Sequence, residues 1–124
     1  MTTTVQVVLP HAAVLNSNDR PGWRKEAAMK AVIRERFRIA GRQGTPLVGL
    51  VHCYAHLGFH DPGRRRDANN WHDTTKAAID GLVDAGLLGD DDHRHLIGPD
   101  HRIDPEPCEP GFVRITLILE PVNE

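Results

Sequence analysis

Hydrolysing a phosphodiester with the help of a metal ion needs hard oxygen ligands that converge on one point, because Mg2+ prefers carboxylate, phosphate and water oxygens. Three aspartates have the spacing to do this: Asp67, Asp80 and Asp91. Asp67 precedes a segment with a helical pattern, Asp80 falls on its polar face and Asp91 follows it. The three meet only if both flanking loops fold over that face. Lys76 is one turn before Asp80 and points the same way. An ammonium there could orient a scissile phosphate or offset charge on the pentacovalent transition state. Taken alone, the Lys76 and Asp80 pair is an ordinary solvated ion pair worth about 0.3–0.5 kcal/mol.

Positioning these side chains requires a scaffold, and the hydrophobic pattern predicts one with element order β, α, β, α, β, β. Thr4 to Leu9 alternates Val5, Val7 and Leu9 against Thr4, Gln6 and Val8, the period of a strand with one buried face. Asn16 to Pro21 is turn-rich, and Pro21 fits the first turn of a helix that runs to about Ala40. On that helix Met29, Val32, Ile33, Phe37 and Ala40 form an apolar stripe, while Lys30, Arg34 and Arg38 recur every fourth residue. The basic row is either a phosphate-contacting surface or a solvated face with Glu26 and Glu35 pairing locally.

Gly41 and Gly44 end the helix, and Leu47 to Leu57 has strand composition, with Val51, Cys53, Ala55 and Leu57 on one face and His52, Tyr54 and His56 on the other. A loop from His60 to Asn69 carries Arg64, Arg65 and Arg66. A second helix follows from about Trp71 to Ala85, with Thr75, Ala78, Ile79, Leu82 and Val83 inward and Asp73, Lys76, Asp80 and Asp84 outward. Asp73, three residues after Asn70, matches an N-cap and its acidic third residue; Asp84 reads as plain surface. Gly86 and Gly89 close the helix before Asp90, Asp91 and Asp92. Leu96 to Ile103 and Phe112 to Pro121 read as strands, the latter with Val113, Ile115, Leu117 and Leu119 inward.

The 124 residues with 40% hydrophobic content suit one domain, 1–124, with a modest core. Cys53 and Cys108 are far apart and form no CxxC pair, so neither a disulfide framework nor a thiolate metal site is expected, and a reducing, cytoplasmic setting fits. Apolar runs such as Leu47 to Val51 fall far short of the roughly 20 residues of a membrane span. The first residues lack a basic region before an apolar stretch, so a chain neither secreted nor membrane-bound is expected. A net charge of −2 argues against a nucleic-acid partner only on average. Basic residues concentrate between Arg20 and Arg66 and acidic ones from Asp67 onward, which allows a basic surface around a local acidic site. His93 with His95, or His52 with His56, could be taken for zinc ligands, but neither an HExxH helix nor a Cys/His pairing accompanies them.

The stretches Arg65-Arg66-Asp67-Ala68-Asn69-Asn70, Lys76-Ala77-Ala78-Ile79-Asp80-Gly81-Leu82, Ala85-Gly86-Leu87-Leu88 and Asp90-Asp91 together resemble the RusA-type Holliday junction resolvases. That family has an Asp-x-Asp-Asn motif, a lysine, an aspartate one turn on and an Asp-Asp pair after the helix. Leu15-Asn16-Ser17-Asn18-Asp19-Arg20 also resembles the family's early Asn-Asn-Arg turn. The likeness spans nearly the whole chain and is most specific from Arg64 to Asp92.

The resemblance implies an α+β, RusA-like domain of two helices packed on a mixed sheet of about four strands. It implies a homodimer, since a two-fold symmetric junction suits an isologous pair. It further implies a Mg2+-dependent, structure-specific endodeoxyribonuclease, with Mn2+ as a substitute, that resolves Holliday junctions and other branched DNA by paired nicks leaving 5′-phosphates, in recombination and repair, in bacterial cytoplasm or encoded by a phage. By position, Asp67, Lys76, Asp80 and Asp91 are the expected catalytic residues. Asp67, Asp80 and Asp91 are the expected metal ligands, with Asn69 or Asp90 as a further one. Arg64, Arg65 and Arg66, with Lys30, Arg34 and Arg38, are the expected DNA contacts.

Two departures matter. The second motif aspartate falls on Asn69, whose amide brings no charge; Asp73 could compensate. The stretch Trp71 to Thr75 is longer than the family's spacer, which rotates the helix start. The alternative is a catalytically inactive protein that binds branched DNA.

Overall fold

The computed structural model describes residues 2–18 and 21–122. Strand β1 (Thr3–Pro10) leads through a short 3-10 turn (His11–Ala13) to helix α1 (Trp23–Gly41), then strand β2 (Val51–Gly58). A second 3-10 turn (Ala68–Trp71) precedes helix α2 (His72–Asp84), and strands β3 (Leu96–Ile103) and β4 (Phe112–Pro121) follow. The four strands form one mixed sheet in the order β1-β4-β2-β3. β4 is antiparallel to both β1 and β2, while β2 and β3 run parallel. A parallel pair needs a crossover, and α2 supplies it.

The fold is thus α+β, two helices packed against a mixed four-stranded sheet, as the sequence predicts. Alternation fixes which sheet face the helices cover. Val113, Ile115, Leu117 and Leu119 of β4 are fully buried, as are Cys53, Ala55 and Leu57 of β2, with Val5, Val7 and Leu9 of β1 nearly so. Burial pushes the Cys53 thiol up to about 12. The opposite face carries the half-buried His52, Tyr54 and His56.

The helices meet the sheet through Ile33 and Phe37 of α1 and Ala78, Ile79 and Leu82 of α2, all at or near zero exposure. They meet each other at Gly81, where an added Cβ would collide with the Arg34 carbonyl oxygen and stand 2.9 Å from Phe37 Cβ. Hydrogen there lets the two backbones touch. Gly86, at φ +79°, ends α2 with the paired hydrogen bonds of a Schellman cap: its N–H donates to Val83 O at 3.0 Å and that of Leu87 to Leu82 O at 3.1 Å.

Several local expectations are corrected. Val32 is 51% exposed, because it sits one position off the Ile33–Phe37 line and its Cβ turns away by about 100° of helix rotation. Pro21 lies before α1 rather than in its first turn; Gly22, at φ +89°, is the N-cap. Residues Leu47 to Leu50 are not strand: Gly49 takes φ +82° and Leu47 N–H goes to Leu87 O at 2.8 Å, so the ladder starts at Val51. Asn70 does not cap α2, whose N-cap position is Trp71 without a side-chain cap. The intervening 3-10 turn displaces the helix start, and Asn70 Oδ1 instead accepts from Ser17 Oγ at 3.3 Å.

Candidate active site

Lys76 and Asp80 are one turn apart on the open face of α2, and Lys76 Nζ donates to Asp80 Oδ1 at 2.8 Å. The same ammonium donates to Asp91 Oδ2 at 2.7 Å. Asp91 therefore comes back over the helix from the following loop. Leu87 and Leu88, buried in the core, turn the chain after the Schellman cap. The loop is then pinned by Asp92, whose backbone carbonyl accepts from His95 and Leu96 N–H at 3.0 and 2.9 Å. Its carboxylate stays within its own turn, accepting from Arg94 N–H at 3.1 Å and pairing with His95 Nδ1 at 2.6 Å. Asp90 Oδ1 accepts from Asp91 N–H at 2.7 Å. Of the three successive aspartates, Asp91 is thus the one that faces Lys76.

Charge follows geometry here. Hydrogen bonds donated to Asp80 and then to Asp91 hold the Lys76 ammonium above its ordinary value, and the Lys76 contact holds the Asp91 carboxyl below its own. All three side chains remain open to solvent. They stand beside a groove between α1 and α2 that Lys30, Arg34, Asp73, Lys76 and Asp80 line.

Asp67 is placed differently. It is the N-cap of the 3-10 turn before α2, its carboxylate accepting from Asn69 N–H at 3.0 Å. It lines a wide cleft of about 830 Å3 bounded by the 11–18 segment, the start of α1 and the arginine loop, with Asn16, Lys25, Arg64 and Arg65 among its walls. Asp73 lies seven residues before Asp80, a rise of roughly 10 Å along the helix, and does not gather with Asp80 and Asp91 into a metal-holding group. Among the described residues no group of three or more His, Cys, Asp or Glu side chains gathers closely enough to hold a metal ion. The structure brings Asp80, Lys76 and Asp91 together and does not gather Asp67 or Asp73 with them into a metal-holding group; Asn69 stands in the 3-10 turn with its N–H on Asp67. Asp19 and Arg20 of the early turn motif lie outside the described residues.

The basic side chains divide. Lys30 pairs with Glu26 at 2.9 Å, Arg38 with Glu35 at 2.6 Å, and Arg34 reaches across to Asp84 with contacts at 2.5 and 2.8 Å. Asp84, read from sequence as plain surface, is therefore a partner of α1, and the α1 row is locally neutralised. Arg66 lies over the Phe59 ring at 3.9 Å and pairs with Asp61 at 2.5 Å, its side chain only 13% exposed. That anchors the loop and turns Arg64 and Arg65 into the cleft. Lys25 and His11, which the sequence did not single out, also line it; Lys25 precedes Met29 by one turn on α1, the only signal that could have found it.

His52 Nε2 contacts Asp100 Oδ2 at 2.5 Å, and the segment with His93 and His95 is a turn rather than an extended strand. No protein-family model matches the chain, and no curated protein matches it significantly.

Proposed function

We propose that this chain is a metal-dependent endonuclease of the RusA type that makes paired nicks in branched DNA, four-way junctions included, as a homodimer. The observation that carries the reading is the convergence of Asp80 and Asp91, eleven residues apart and on different elements, on one cation position. Two carboxylates, with water and a substrate phosphate completing the shell, are a common way of holding Mg2+. Asp80 and Asp91 meet that requirement. An ion held there supplies a Lewis acid toward a phosphodiester oxygen and a more acidic water.

The chain's own side chains divide the remaining work. Arg64 and Arg65, with Lys25, offer cations to the DNA backbone on the wall of the wide cleft. Arg66 holds their loop. Lys76 is placed to take a phosphate oxygen, and Asp67 lies at the mouth where the DNA-binding loop joins α2. A homodimer would present two such sites to opposing strands of a two-fold symmetric junction. Asp91→Asn is expected to lose nicking of a labelled four-way junction while keeping its affinity for that junction; full nicking by this variant contradicts the proposal.

Two observations favour a second reading. Asp67 serves as a cap away from the Asp80 and Asp91 pair, and Asn69 stands where the family carries a second aspartate. A protein that binds branched DNA without cutting it would need no more than this. Junction binding without nicks, in Mg2+ and in Mn2+, decides for that reading.

A further inference from the structure

We infer that Lys76 is a resident counter-ion that a divalent metal must displace to bind between Asp80 and Asp91, so that metal loading is coupled to the arrival of a phosphate. This rests on the metal-dependent reading above. One ammonium lies 2.8 Å from Asp80 Oδ1 and 2.7 Å from Asp91 Oδ2, the place a metal bridging those carboxylates would take. Charge-assisted contacts of this length are strong hydrogen bonds. The ammonium fills the space between the two carboxylates, and two cations in contact repel, so binding there is an exchange.

The neighbouring cations do not share this position. Lys30 is held by Glu26 and Arg34 by Asp84, each with its own carboxylate. Lys76 alone of the groove's cations spans the pair. Its side chain is 51% exposed on a flexible stem, free to swing outward into the groove. A DNA phosphate in the groove is the natural acceptor for the displaced ammonium. Linkage then makes the effect reciprocal: the phosphate raises metal affinity by the same factor as the metal raises DNA affinity. A chain built this way stays metal-poor away from DNA and fills its site on the substrate.

Calorimetric titration of the full chain with Mn2+, without DNA, tests the exchange. Lys76→Gln is expected to bind Mn2+ about tenfold more tightly than the wild type, within the usual range of such couplings, while Lys76→Arg, which keeps a cation, stays near the wild type. Thermal melts of both variants establish that they are folded. Duplex affinity measured by anisotropy should gain more from Mn2+ in the wild type than in Lys76→Gln, the duplex's own affinity for Mn2+ being common to both. Equal or weaker Mn2+ binding by Lys76→Gln, beside clear binding by the wild type, overturns the exchange and leaves the metal site standing. Absence of Mn2+ binding in every variant, together with no effect of Mn2+ on junction affinity or nicking, overturns the metal-dependent reading itself.

Discussion

Thr74 and Leu15, 59 residues apart, are joined through both backbone polar groups of Leu15: Thr74 Oγ1 accepts from Leu15 N–H at 2.7 Å and donates to Leu15 O at 2.8 Å. Both residues are buried. One hydroxyl thus bolts the turn after β1 to the first turn of α2, and with it one wall of the wide cleft to the helix that carries Lys76 and Asp80. Thr74→Val keeps the shape and leaves two buried backbone groups without partners, each costing roughly 1–3 kcal/mol. The expected outcome is a clear loss of stability in urea melts; a variant as stable as the wild type would show that water replaces the hydroxyl.

The contact between α1 and α2 at Gly81 is equally specific. Gly81→Ala places a methyl against the Arg34 carbonyl oxygen and 3.0 Å from Arg38 N, neither of which can move without shifting α1. Overpacking of this kind costs about 1–3 kcal/mol. Chemical denaturation should show that loss, and the Arg34 to Asp84 bridge should weaken with it.

The arginine loop separates gripping from anchoring. Arg64→Ala and Arg65→Ala are each expected to weaken DNA binding regardless of sequence and to reduce the slope of log affinity against log salt by about 1. Arg66→Ala is expected instead to lower the thermal midpoint, since its guanidinium packs on Phe59 and pairs with Asp61. Salt titrations with any fixed duplex distinguish the two behaviours.

His101 predicts a pH dependence of stability. Burial, followed by the nearby His72, pushes its imidazole below its ordinary 6.5. Thr75 donates to His72 O at 3.1 Å, so the 2.7 Å contact with His101 Nε2 has the ring donating to the hydroxyl. A depressed folded value means the contribution is complete above about pH 6.5 and is lost as pH falls through the folded value. Stability should therefore decline from pH 7 toward pH 5, and His101→Gln should flatten that decline. An unchanged slope in the variant would assign the dependence to other groups.

Much of this scaffold was readable because the buried positions keep strict periods. Val113, Ile115, Leu117 and Leu119 alternate without exception, and Leu96–Ile103 and Phe112–Pro121 match the expected bounds. Val32 and Val48 misled because apolar residues outside the core obey no period, and Leu47 because it packs against the core from a loop. The Arg34 to Asp84 bridge was invisible for a different reason: it joins residues 50 apart that only the packed helices bring together.

The site was legible in part. Lys76 and Asp80 follow from helical spacing, and Asp91 required a loop to return over the helix, which it does. The place of Asp67 depended on a 3-10 turn, Ala68–Trp71, that no hydrophobic pattern announces. Its side chain remains a sharp probe: Asp67→Asn preserves a capping oxygen, so loss of nicking with junction binding intact would assign Asp67 to catalysis, while retained nicking would leave it as a cap.

The most direct test is strand cleavage of a labelled synthetic four-way junction, with and without Mg2+, beside a linear duplex of matching sequence. The nuclease proposal requires paired, Mg2+-dependent nicks in the junction and none in the duplex, lost in Asp80→Asn and Asp91→Asn. Junction binding without nicks in either Mg2+ or Mn2+ would contradict it.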